Sequence, residues 1–197
     1  MRKTPLLDLG NVILKVDFAP FLDWLKSKAG PHNLARAEAF LSSSLFFDFE
    51  FGSIGRVDFA RRLSDLYGTS ITVAEVEKHF CDIFPGPVEG MDVLMEELLA
   101  EGPVYALSNT NEIHLDWLRL HCPLVKRFTK LYASHEIHMR KPYPGIYRAV
   151  AESLDLEARD MVFFDDLHAN VQGALRAGMD AHVFAGPEHI RTVMKSF

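Results

Sequence analysis

The sequence predicts an α/β protein: a Rossmann-like core with a parallel sheet, interrupted once by an inserted α-helical cap. Three observations carry this. Five short apolar runs rich in branched and aromatic residues read as buried strands. Amphipathic helical patterns separate the last four of them, the alternation of a parallel sheet. Between the first and second runs, from Asp17 to Phe84, only helical periodicity appears, over a stretch far longer than a strand-to-strand crossover needs.

The strands are read at Thr4–Leu7, Val104–Leu107, Lys130–Ala133, Met161–Phe164 and Ala181–Phe184. Glu89–Glu101 is the clearest helix, with Met91, Leu94, Met95, Leu98 and Leu99 on one face and Gly102-Pro103 as its stop. Tyr143–Leu154 and His168–Ala177 repeat the pattern, Gly178 closes the second of these, and Pro187 begins a last helix running towards Phe197. Within the insertion, Asp17 reads as the cap of a helix carrying Phe18, Phe21, Leu22 and Leu25. Further helical stretches follow at Leu34–Leu41 and Val57–Tyr67. Thr72-Val73-Ala74-Glu75 has the capping-box spacing, and Pro85-Gly86-Pro87 reads as a rigid linker back to the core. The expected division is therefore a core of residues 1–15 and 86–197 and a cap of residues 16–85.

With 197 residues, 48% hydrophobic and 24% charged, the chain can bury one full core and a smaller insertion. A net charge of -6 without a Lys/Arg-rich run argues against nucleic acid as a partner. No apolar stretch approaches the ~18 residues that a membrane helix needs. Met1-Arg2-Lys3-Thr4-Pro5 leads directly into the first strand, which reads as a chain without a signal peptide. Cys81 and Cys122 stand far apart, as expected of reduced thiols in a cytoplasmic protein. Among the nine histidines, His135 and His138 lack a third ligand at metal-site spacing.

The chemistry is expected where strands end, because the carboxyl ends of a parallel sheet open on one edge. The first strand ends at Asp8, the second at Ser108-Asn109-Thr110-Asn111, the fourth at Asp165-Asp166, and His138-Met139-Arg140-Lys141-Pro142 follows the third. Each residue alone has an ordinary use: a turn or helix-capping aspartate, a turn serine, a solvated lysine. Together they differ. Adjacent carboxylates repel unless a cation intervenes, and with Asp8 they make an oxygen-rich site suited to Mg²⁺. Ser108 and Lys141 can hold an anion, and the set as a whole describes phosphoryl transfer.

Along its whole length the chain resembles the haloacid dehalogenase superfamily, through Asp8-Leu9-Gly10-Asn11-Val12, Leu107-Ser108-Asn109-Thr110-Asn111, Arg140-Lys141-Pro142 and Phe163-Phe164-Asp165-Asp166 with Asn170 and Gly173. The insertion stands where that family carries a type-1 helical cap, and the first two motifs look most like bacterial phosphatases of the α-D-glucose-1-phosphate phosphatase branch. The resemblance implies the sheet order 5-4-1-2-3 and a Mg-dependent phosphatase acting on a small phosphorylated metabolite, sugar phosphates among them. It implies Asp8 as the nucleophile that becomes an aspartyl-phosphate. It further implies Asp8, the Gly10 carbonyl, Asp165 and Asp166 around the metal, with Ser108, Asn109 and Lys141 at the phosphoryl group. Monomer or homodimer is the expected state.

Gly10 departs from the pattern. Most phosphatases of the superfamily have there a second aspartate that moves protons, work worth ~10²–10⁴ in rate. Asp17 and His168 are the candidates to replace it, each with a structural role as the stronger expectation. In the cap, Phe46, Phe47, Phe49 and Phe51 interleave with Asp48 and Glu50 as an aromatic-acidic loop able to close over the site. Glu50 with Gly52 is the pair expected to meet substrate hydroxyls, against the plainer reading of cap core and a solvated acid.

Other classes compete. A metal-independent 2-haloacid dehalogenase also uses a nucleophilic aspartate but has no use for the Asp165-Asp166 pair. A catalytically weak or inactive relative that binds a phospho-ligand or partner is kept open by Gly10. A phospho-receiver domain has its acid pair after the first strand and its lysine after the last, the reverse of the order here.

Overall fold

A computed structural model describes residues 3–197; Met1 and Arg2, at the start of the stretch that leads into the first strand, lie outside them. The core sheet comprises β1 (Thr4–Leu7), β2 (Tyr105–Ser108), β3 (Lys130–Ala133), β4 (Met161–Asp165) and β5 (Asp180–Val183), all parallel. Its spatial order is 5-4-1-2-3, as the resemblance implies. The central strand is apolar because both its faces are covered: Leu7 packs in one cluster with Met95, Val104 and Phe164, and Leu6 in another with Tyr147, Phe163 and Val171. Differences from the expected strand bounds are shifts of one residue at β2, β4 and β5.

After β1 the chain turns through Asn11, at φ 54°, and reaches a short ribbon in which Leu14–Lys15 pairs antiparallel with Gly86–Pro87. The expected linker Pro85-Gly86-Pro87 is thus half of a two-stranded crossing that holds both passages side by side. Between them lie α1 (Ala19–Ala29), α2 (Leu34–Glu38), α3 (Ser44–Phe51), α4 (Arg56–Tyr67) and α5 (Val73–Cys81). They enclose a cluster that includes Phe21, Phe40, Phe46, Phe49, Phe59 and Phe80. The capping box at Thr72 is formed, with Thr72 Oγ1 accepting from Glu75 N at 3.2 Å and Glu75 Oε2 accepting from Thr72 N at 2.9 Å. Asp17 differs from expectation: α1 is preceded by Phe18, and Asp17 accepts from Ala19 N at 2.9 Å as a turn residue.

The expected aromatic-acidic loop is helix α3. Ser43 caps it through Phe46 N, and Gly52 ends it in the left-handed conformation at φ 76°. Helical spacing divides its phenylalanines, so Phe46 and Phe49 are buried while Phe47 and Phe51 are exposed. Core helices α6 (Met91–Glu101), α7 (Glu112–His121), α8 (Ser134–Ile137), α9 (Pro144–Glu152), α10 (His168–Ala177) and α11 (Pro187–Met194) complete the fold. Among the described residues no helix is long and apolar enough to cross a membrane.

Candidate active site

A cavity of about 360 Å³ lies over the carboxyl ends of β1 and β2, roofed by cap residues. Asp8, Gly10, Ser108, Asn109, Lys141, Asp166 and Glu50 all line it, though they come from widely separated parts of the chain. Asp8 follows β1, and its N–H donates to the Phe164 carbonyl of β4 at 2.9 Å, which sets it beside the strand that ends in Asp165. Carboxylate oxygens of Asp8, Asp165 and Asp166 lie within 4.8 Å of one another.

The Lys141 ammonium is buried between two of these acids, 2.7 Å from Asp8 and 2.6 Å from Asp165. Burial works against its charge, but Asp8 and Asp165 outweigh burial and hold its pKa above the usual lysine value. Asp8 is pushed well above the usual carboxylate range, first by burial and also by Asp165, against the pull of Lys141. Burial likewise raises Asp166, opposed by a 3.1 Å hydrogen bond from Asn11 Nδ2. Asp165 is fully buried and further satisfied by Asn170 Nδ2, 3.0 Å from both its oxygens, and by Leu167 N at 2.8 Å.

Lys141 is positioned from two sides. Asn109 donates through Nδ2 to the Lys141 carbonyl at 3.0 Å and accepts from the Lys141 N–H at 2.9 Å. Asn109, expected at the phosphoryl group, lines the cavity and uses one amide N–H and its amide oxygen to hold the Lys141 backbone. On the other side Gly173, inside α10, leaves room for the Pro142 carbonyl, which a Cβ there would overlap. Ser108 is the last residue of β2, nearly buried, and lines the cavity beside Asn109.

The cap contributes Glu50, nearly buried and 2.5 Å from Arg140 Nη2. Burial raises its pKa and the Arg140 guanidinium opposes the rise. Gly52 does not line the cavity, contrary to expectation; its lack of a side chain admits the His135 carbonyl. Around it the C-terminal turn of α3 is clasped to the core. The Ser134 hydroxyl lies 2.6 Å from the Glu50 carbonyl and accepts from Thr110 N at 2.9 Å, and His138 Nδ1 donates to the Phe51 carbonyl at 3.1 Å. Neither Asp17 nor His168, the two expected substitutes for an acid at Gly10, lines the cavity.

Sequence reasoning does not find His114, which also lines it. Its Nε2 lies 2.9 Å from the Phe80 carbonyl, which only accepts, and its Nδ1 lies 3.0 Å from the Asn111 amide nitrogen, which only donates. The ring is therefore neutral with its proton on Nε2. Burial accordingly pushes its pKa down to about 3.

Residues 6–178 match the model of the haloacid dehalogenase-like hydrolases, covering the end of β1, β2 to β4, the cap and every residue of the cavity discussed above. The chain is a haloacid dehalogenase-like hydrolase. It is 24% identical over 190 residues to a D-ribitol-5-phosphate phosphatase of Bacteroides thetaiotaomicron, covering 91% of this chain and 90% of the relative. Among solved structures, a haloacid dehalogenase family enzyme from the same organism, in complex with magnesium and inorganic phosphate, superposes with a TM-score of 0.83 at 26% identity over 94% of this chain and 95% of that one. L-2-haloacid dehalogenase from Xanthobacter autotrophicus shares the fold, with a TM-score of 0.66 at 16% identity over 100% of this chain and 83% of that one.

Proposed function

We propose that this hydrolase is a Mg²⁺-dependent phosphatase that cleaves a small phosphomonoester through an aspartyl-phosphate on Asp8. The observation that carries this reading is the grouping of Asp8, Asp165 and Asp166 around a single buried ammonium, that of Lys141. Three carboxylates against one lysine leave a surplus of negative charge that a hard divalent cation with oxygen ligands would balance. The donor set therefore fits magnesium, with Asp8, the Gly10 carbonyl and Asp166 as ligands and Asp165 direct or through water. Bound there, Mg²⁺ would neutralise charge and orient the phosphoryl group.

In this reading Asp8 is the nucleophile, freed as Lys141 turns part of its charge to the phosphoryl oxygens. Ser108 donates to the same oxygens. Asn109 acts by holding Lys141, and Glu50 borders the leaving group from the cap, taken as residues 16–85 against a core of 1–15 and 86–197. The phosphatase named above and the relative bound to magnesium and phosphate support the same chemistry. The Asp165-Asp166 pair favours it over metal-independent dehalogenation.

Hydrolysis of p-nitrophenyl phosphate by the wild type and by Asp8→Asn, each with Mg²⁺ or with EDTA, tests the proposal. Activity that needs both Mg²⁺ and Asp8 is expected. Activity surviving in Asp8→Asn sinks the covalent route, and none in the wild type favours a phospho-ligand binder, the alternative that Gly10 supports.

A further inference from the structure

We propose that the natural leaving group is a phenol-class oxygen on an apolar ring, so that the preferred substrates are aryl phosphates and not polyol phosphates. This rests on the phosphatase reading above and names its substrate class.

The first line of argument is the fate of the leaving oxygen. Gly10, two residues after Asp8, lines the cavity and offers no side chain to protonate it. The titratable side chains that line the cavity each already have a partner: Asp8 and Lys141 one another, Asp166 Asn11, Glu50 Arg140, and His114 both Asn111 and Phe80. A phenol, with a pKa of about 10, departs as the anion far more readily than an alcohol, whose pKa lies near that of water at roughly 15.7.

The second line is independent and concerns the cavity wall. Beside the polar groups already named, Glu50 and Arg140 among them and paired with each other, it is lined by Phe18, Leu41, Phe46, Phe47, Ile83 and Phe84. Each polyol hydroxyl buried against such a wall without a partner would cost about 1–3 kcal/mol, whereas a ring gains from the same surface. The about 360 Å³ of space lies near the lower end of the roughly 300–1,000 Å³ common for small-molecule sites. The Nε of Arg140 is buried without a partner, while its guanidinium lies 4.6 Å from the centre of the Phe47 ring.

The step balances without a protein acid. Asp8 Oδ bonds to phosphorus as the P–O(aryl) bond breaks, and its electron pair leaves with the phenolate, which takes a proton from solvent. Water then attacks the aspartyl-phosphate, the P–O(Asp8) bond returns its pair to the carboxylate, one water proton stays on the phosphate, and the other returns to solvent in place of the one the phenolate took. The net change is aryl phosphate plus water to phenol plus hydrogen phosphate.

The test is steady-state kinetics with Mg²⁺ on a series of substituted phenyl phosphates, glycerol phosphate and D-ribitol 5-phosphate, in wild type, Gly10→Asp and Phe47→Ala. Wild-type kcat/KM is expected to fall steeply as the leaving-group pKa rises and to favour unsubstituted phenyl phosphate over D-ribitol 5-phosphate by ~10² or more. Gly10→Asp should flatten that dependence. A Cβ at Gly10 meets only Val16 Cγ2, at an ordinary 3.4 Å, so the variant has room to fold. Phe47→Ala, at an exposed position, should raise KM for phenyl phosphate several-fold more than KM for glycerol phosphate. Polyol phosphates turned over as fast as phenyl phosphate, or equal KM effects of Phe47→Ala on both substrates, overturn this inference and leave the phosphatase reading intact. No turnover of any ester overturns both.

Discussion

Glu50, on a cap helix, and Arg140, the residue before the buried lysine, both line the cavity and are bound to each other at 2.5 Å. The cap therefore does not merely cover the site; its position is tied to the loop that carries Lys141. Removing the charge in Glu50→Gln would leave Arg140 short of its partner. We predict a KM increase of roughly tenfold with a smaller change in kcat. In a double-mutant cycle with Arg140→Met, a coupling of about 1–3 kcal/mol is expected. Additive effects of the two substitutions on kcat/KM would refute the link.

Charge crowding at Asp8 favours function over stability. Asp8→Asn relieves repulsion with Asp165 and Asp166 while Lys141 keeps its 2.6 Å contact to Asp165. In EDTA the variant should melt a few degrees above the wild type, a gain of ~1–2 kcal/mol. Added Mg²⁺ should stabilise the wild type more than the variant. Thermal melts of both proteins with and without the ion decide the matter.

His114 makes stability depend on pH in a definable sense. Its pKa is about 3 in the fold and about 6.5 in an unfolded chain, so the unfolded state takes up the proton first as pH falls. Its contribution is complete above pH ~6.5 and is lost at about 1.4 kcal/mol per pH unit below that, down to about pH 3. Asp8, shifted upward, acts in the opposite sense. The two are separated by the difference between wild type and His114→Gln in urea unfolding from pH 7 to 4.5. That difference should narrow or invert as pH falls; a constant difference would contradict the neutral, buried imidazole.

Gly173 reverses the usual helix preference. Alanine inside a helix is normally favoured by about 1 kcal/mol, yet a Cβ here overlaps the Pro142 carbonyl. Gly173→Ala should therefore destabilise by ~1–3 kcal/mol. It should also lower kcat, because the displaced segment carries Lys141. Denaturant unfolding together with turnover would check both effects, and a stabilised, fully active variant would rule the packing argument out.

Much of this architecture is legible from one residue to the next. The β1 and β3 bounds, the capping box at Thr72 and the acid at the end of the first strand follow from periodicity and capping rules alone. The Phe46–Phe51 stretch does not: aromatic and acidic residues in near alternation imitate a loop or strand, and only Ser43 and Gly52 mark it as a helix. His114 and Ser134 leave no signal because their partners are the Phe80 and Glu50 carbonyls, 34 and 84 residues away. Asn109 looks like an anion ligand in isolation, and nothing local announces its two hydrogen bonds to the Lys141 backbone, 32 residues away.

The five core strands, the four strand-end groups and the glycine two residues after Asp8 were determined by sequence alone, since local pattern and parallel-sheet geometry suffice to bring them to one edge. The tertiary structure decided which of those groups have spare hydrogen-bonding capacity. It committed Asn109, His114 and Asn170 to positioning and satisfaction, brought Arg140 onto Glu50, and lined the far wall with phenylalanines. The reason is physical: burial forces polar groups to find partners, and those partners are backbone carbonyls and side chains that no local spacing encodes.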